Sequence, residues 1–305
     1  MAGMSMLPSV FLSSCFTWRG GGQGLMTDYI GSQEKFGLYQ HYFKNIKKSR
    51  FAYSSLETSL SNNSNIVFLD TDSGNKSSYA IMLLEKEKDI ITTYPLCNTL
   101  TGYASISDFA EKYDRMVGLL NPLAFYPSIQ SLKEIIIEEN ILIDKVRISC
   151  HPSDLSAAFS VSGLAGTAQP LQRIISYISN SFPVSLRTES KDNAEPAGIR
   201  VNFENFETLI LFDKKQAGWI MELSGADFSA LTDHTGLLAL NSEVEPRIAP
   251  DPAVMENAIR ANLEDFMQSA RERTEPRVNS LDGLASIILN KAVEESLQTG
   301  STVYL

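Results

Sequence analysis

The sequence predicts an α/β unit built on a parallel sheet, followed by an α+β unit with a large open antiparallel sheet. Two observations carry this reading. Residues 65–69, Asn-Ile-Val-Phe-Leu, form a near-continuous apolar run, as in a strand buried on both faces, and helices and strands alternate around it. Alternation of that kind requires right-handed crossovers and a mostly parallel sheet. After Pro122 strands follow one another with short turns, and Ile199-Arg200-Val201-Asn202-Phe203 alternates apolar and polar. One face of that strand is covered and the other is wet.

In chain order, residues 9–18 read as a strand, followed by Gly20, Gly21, Gly22 and Gly24. Residues 32–48 read as a helix because Phe36, Tyr39, Tyr42 or Phe43, and Ile46 recur at helical spacing. A minimal strand (50–53) and a short helix started by Ser54 or Ser55 (54–60) come next. Strand 65–69 is followed by helix 77–86, strand 89–92, helix 105–113 and strand 116–120. Beyond Pro122 a helix (129–139) precedes strand 143–150 and helix 171–178. Strands 184–188, 199–203, 208–212, 218–223 and 237–240 follow, and helices 252–271 and 281–297 close the chain. The boundary is placed between residues 1–121 and residues 122–305.

Composition narrows the function. The chain has 305 residues, with 26 Lys and Arg against 36 Asp and Glu, a formal charge of −10. No basic stripe is present to neutralise phosphates, so nucleic acid is excluded as a partner. No run reaches the roughly 18–20 apolar residues of a membrane span. Cys15, Cys97 and Cys150 are widely spaced and odd in number. They form neither a disulfide framework nor a metal pattern, and the cytoplasm is the expected compartment.

Three stretches, in this order and spacing, carry a further likeness. Residues 71–95 run from Thr71-Asp72-Ser73 to Thr93-Tyr94-Pro95. Residues 162–177 form a glycine-led helix holding Ala165, Gln169 and Gln172. The chain closes with Arg273-Thr274-Glu275-Pro276-Arg277-Val278, a helix, and Thr299-Gly300-Ser301-Thr302-Val303. Together they resemble the glucose–fructose oxidoreductase / inositol dehydrogenase (Gfo/Idh/MocA) family, whose members use NAD(P) to oxidise or reduce sugars and related small molecules. The likeness runs from about Arg50 to the end. It implies a Rossmann-like first domain, shortened or degenerate here, and a second domain whose open sheet mediates dimerisation.

The resemblance also shows what has changed. Tyr94 stands where the family has the Lys of Glu-Lys-Pro. Ala165 and Gln169 stand where it has the Asp and His that bind substrate and move its proton, and Gln172 stands at the following acidic position. Glutamine hydrogen-bonds a hydroxyl but does not titrate near neutral pH, so it is no general base. Lys76 takes the place of a family His. Thr71, Asp72, Ser73, Lys76 and Pro95 are the remnant cofactor-side positions. Tyr94 has two readings: a phenolic proton donor, its pKa lowered by Lys76 or Lys88, or a ring that plugs the vacated cleft.

A dinucleotide turn needs glycines directly between the first strand and first helix, and an acid about 20 residues on. If residues 9–18 are the second strand, no room is left for that unit. If Gly20 to Gly24 are the turn, the second strand disappears. The expected protein is a catalytically inactive oxidoreductase relative without cofactor, pairing with itself or with an active paralogue through the second sheet. Phe203, Phe206, Leu209, Leu211, Trp219 and Met221 supply the two faces of that sheet. The alternatives are a divergent NAD(P)-dependent reductase using Tyr94, and a cofactor-free sugar-binding module using Gln169 and Gln172.

Overall fold

The computed structural model describes residues 26–33, 36, 50–71, 73–151, 163–190, 196–213, 215–241 and 245–305. The strand expected at 9–18, the glycines after it and most of helix 32–48 lie outside these residues, as does Asp72. The described residues divide into two compact units, one running up to Asn121 and including Ile259–Ile287, the other comprising Pro122–Ala258 and Ile288–Leu305.

The first unit carries a five-stranded sheet: β1 (Met26–Gly31), β2 (Arg50–Tyr53), β3 (Ile66–Asp70), β4 (Asp89–Thr92) and β5 (Val117–Leu119). Its order is β2-β1-β3-β4-β5, and every pair is parallel. Helices α1 (Leu56–Ser61), α2 (Ser73–Glu85) and α3 (Leu100–Lys112) make the last three connections. All residues of β3 and β4 are buried, as their apolar runs predict. Ser55 caps α1, its hydroxyl accepting from Thr58 N at 3.2 Å, and Thr99 caps α3 in the same way.

β1 corrects the sequence reading. The first strand is present at Met26–Gly31, between β2 and β3, so neither proposed register holds. Its Asp28 is buried, and polarity at that position hid the strand. Inside the fold Asp28 Oδ2 accepts from Ser64 Oγ at 2.9 Å and from Asn62 Nδ2. Those partners offset the desolvation that a lone buried carboxylate would suffer.

The second unit holds β6 (Lys145–Cys150), β7 (Pro183–Ser190), β8 (Pro196–Phe203), β9 (Glu207–Phe212), β10 (Trp219–Ser224), β11 (Ser229–Asp233), β12 (Leu238–Leu240) and β13 (Val303–Tyr304). Their order is β12-β11-β10-β6-β9-β8-β7-β13. The sheet is mixed rather than wholly antiparallel, because β6 and β9 pair in parallel. Val146, Ile148, Ile210, Met221 and Leu223 are buried on one face. Helices α4 (Pro127–Glu138) and α5 (Gly163–Ser179) bring Ile129, Leu132, Ile174 and Ile178 to the same core. Thr232 Oγ1 donates to Ser128 Oγ at 2.9 Å, tying β11 to the first turn of α4. α6 (Val254–Glu272) and α7 (Ser280–Thr299) complete the chain. Among the described residues no helix is long and apolar enough to cross a membrane.

The apolar positions of this sheet separate by face. Phe203, Trp219 and Met221 are buried, whereas Leu209 and Leu211 are only half-buried. Across the less covered face run Arg200, Leu209, Arg147, Glu222 and Leu231 in one register row. Arg200 there binds Glu189 at 2.7 Å and also Glu207.

Candidate functional site: the switch point of the parallel sheet

In the five-stranded sheet the chain moves outward from β1 to β2 and the other way from β3 through β5. The strand order therefore reverses between β1 and β3. In open α/β sheets ligands bind at such a switch point, beyond the carboxyl ends of the strands. Here those ends are Gly31, Asp70 and the segment Thr93-Tyr94-Pro95, with a cis Tyr94–Pro95 bond.

The chain's own polar groups are linked across this point. Tyr29 OH donates to Asp70 Oδ2 at 3.1 Å, and Thr93 Oγ1 donates to Asp70 Oδ1 at 3.1 Å. Lys76 Nζ donates to Thr93 Oγ1, Thr93 O and Pro95 O, each at 3.0 Å. Lys76 is 2% exposed and Asp70 5%. A buried ammonium and a buried carboxylate are each costly unless paired, and the Thr93 hydroxyl joins them. Lys76 thus fixes the carbonyls on either side of Tyr94, whose side chain is 1% exposed.

The Tyr29 phenol lies against Gly31 at the turn after β1, while Ser32 and Gln33 are exposed. A Cβ on Gly31 would lie 2.3 Å from Tyr29 OH and 2.8 Å from Asp70 O. Glycine is required here by the phenol and by the Asp70 carbonyl. Gln33 and Phe36, both helical, follow at the spacing where a dinucleotide turn has its second and third glycines. Phe36 packs its ring 5.9 Å from Tyr29 and 5.5 Å from Tyr53. At the end of β2, the usual place of the ribose-binding acid, stand Tyr53 and Ser54. Ser54 N donates to Tyr29 O at 3.0 Å and its hydroxyl to Ser55 O at 3.2 Å. These residues do not supply the open glycine turn and ribose carboxylate that a dinucleotide needs.

The sequence-predicted positions fare unequally. Lys76 and Pro95 meet in the network through Thr93, and Thr71 lies beside it in sequence with its hydroxyl oxygen buried and without a hydrogen-bond partner among the described residues. Ser73 opens α2. Lys88 does not serve Tyr94. It sits at the opposite end of β4, a strand of four residues and about 13 Å. Its ammonium donates to Asn62 O at 2.7 Å and to Ser64 O, and burial pulls its pKa down. Ala165, Gln169 and Gln172 lie on α5 in the second unit. Gln172 is 2% exposed with Nε2 unbonded among the described residues. Cys97 is fully buried, and desolvation pushes its thiol up, away from nucleophilic use. Asp233 forms a turn, its carboxylate accepting from Thr235 N at 2.9 Å. Among the described residues no cluster of His, Cys, Asp or Glu is able to hold a metal. Tyr29 and Asp70 escaped the sequence reading. Their one visible signal was a glycine followed by Ser32, a helix-starting residue.

By sequence the chain matches no protein-family model and no curated protein. By structure it matches oxidoreductases. An oxidoreductase from Agrobacterium radiobacter, in complex with NAD+, L-tartaric acid and magnesium, superimposes with a TM-score of 0.74 at 14% identity over 91% of this chain and 97% of that one. Aldose-aldose oxidoreductase from Caulobacter crescentus gives 0.70 at 15% identity, over 92% and 90% of the two chains. An oxidoreductase from Pseudomonas syringae gives 0.74 at 12%, over 91% and 98%. The fold is therefore that of Gfo/Idh/MocA-type oxidoreductases, a parallel five-stranded sheet followed by a mixed eight-stranded one, as the three sequence stretches imply.

Proposed function

We propose that this chain is a cytoplasmic, catalytically inactive member of the oxidoreductase fold, acting as a structural or regulatory subunit. One observation carries the reading: Tyr29, Asp70, Thr93 and Lys76 satisfy one another at the switch point, with the Tyr29 phenol against Gly31 where phosphates would approach the turn. The absence of titrating groups at Ala165, Gln169 and Gln172, with Tyr94 in place of the family's Lys, adds support. The mixed register row of Arg200, Leu209, Arg147, Glu222 and Leu231 offers both charges and apolar area, suited to a second copy or an active relative.

Calorimetric titration with NADH and NADPH tests this. No saturable binding is expected, and micromolar affinity for either restores the competing reading, an NAD(P)-dependent reductase with Tyr94 as proton donor. Nε2 of Gln172, buried and without a hydrogen-bond partner among the described residues, favours a second reading, a cofactor-free sugar-binding module. A panel of sugars in a melting experiment separates it, because only a bound ligand raises the midpoint.

A further inference from the structure

At the opposite end of the parallel sheet, in the same unit, lies an open surface pocket of about 260 Å³ between the α3–β5 connection and the α6–α7 connection, with Asp114, Arg273 and Glu275 exposed along it. Two arginines, Arg115 and Arg273, line it. Arg115 uses Nε to donate to Tyr113 O at 3.1 Å, and Arg273 uses Nη1 to bind Asp89 at 2.9 Å. Their remaining donors have no partner among the described residues. Arg273 sits just past α6 with φ of +55°, a conformation that favours glycine at a helix end. It holds that conformation while its side chain reaches Asp89.

Two carboxylates line the same pocket, Asp114 and Glu275. Glu275 gives one oxygen to Asn279 Nδ2 at 2.6 Å, and Asp114 has no side-chain partner among the described residues. Met116 and Pro276 contribute an apolar wall. A simple anion would meet the two arginines but also the two lining carboxylates, and like charges repel it. A cation meets the converse problem. The geometry points to a small dipolar molecule, a free α-amino acid: its carboxylate on Arg115 and Arg273, its ammonium toward Asp114 and Glu275, its side chain on Met116 and Pro276. Guanidinium–carboxylate pairs of this kind are the stronger class of hydrogen bond.

The full-length protein is titrated by calorimetry with each of the twenty amino acids, up to about 10 mM, and the best ligand is confirmed by its melting-point shift. Saturable binding of at least one is expected. Arg115→Gln and Glu275→Gln should each weaken it about tenfold or more, with melting curves of the free variants unchanged. Removing either the amine or the carboxylate of the ligand should do the same. Absence of saturable binding for all twenty overturns the proposal. So does equal affinity in wild type and both variants, or a des-amino analogue that binds as well as its parent.

Discussion

Tyr29 and Asp70 meet at 3.1 Å across the junction of β1 and β3, closing with the chain's own hydrogen bond the place where this fold reverses its strand order. Tyr29 has no exposed surface, and its ring stacks on Phe68 at 5.6 Å. The same residue, together with the Asp70 carbonyl, explains the glycine at the end of β1.

Gly31→Ala should therefore destabilise the fold by about 1–3 kcal/mol, since the added methyl has nowhere to go. In a Tyr29→Ala background the same substitution should cost less, because the nearest obstacle is gone and only Asp70 O remains within 3 Å. Urea denaturation of the four proteins gives the coupling directly.

Lys76→Met keeps the apolar stem and removes the ammonium. Three acceptors lose their donor, and Asp70 loses its nearby balancing charge. A loss of about 2–4 kcal/mol is expected, read as a lower urea midpoint with unchanged slope.

Tyr94 acts through its ring in this account. Tyr94→Ala should cost about 3–5 kcal/mol and Tyr94→Phe less than about 1.5. A Phe variant as unstable as the Ala variant would show that the hydroxyl, not the ring, is what the site uses.

Asp89 sets a pH dependence. Burial raises its pKa above the ordinary 3.8, against the opposing pull of Met116 N–H and Arg273. A carboxyl with a raised folded pKa binds more protons in the folded state, so its contribution is fully present below the unfolded value and is lost as pH rises through the folded one. Relative to Asp89→Asn, wild-type stability should fall as pH increases from 3.8 through that raised value. Urea midpoints for both proteins across the acidic range check the sign.

Leu209→Asp places a charge in the centre of the less covered face of the second sheet. Self-association through that face predicts a shift to monomer by light scattering, with the melting temperature of the monomer unaltered.

Sequence legibility followed burial. β3 and β4 announce themselves because every residue in them is buried. β1 does not, since Thr27 and Asp28 interrupt it and the partners that make Asp28 tolerable lie 34 and 36 residues away. β11 was missed for a related reason: Ser229, Thr232 and Asp233 are polar, and Thr232 is buried only because Ser128 accepts its hydrogen. α2 and α3 begin several residues earlier than their apolar periodicity suggested, at Ser73 and Leu100, because first-turn residues contribute little to the core. At the site, Lys76 and Pro95 were found by resemblance. That the lysine bonds both carbonyls around Tyr94 depends on backbone geometry that no residue pattern encodes.

The most direct test is a crystal structure of the protein grown with saturating NADPH or NADH. The account predicts the Tyr29 hydroxyl still on Asp70, Lys76 still on Thr93 and Pro95, and no dinucleotide above Gly31. A pyrophosphate seated on the Gly31–Gln33 turn, with the phenol swung away, would contradict it.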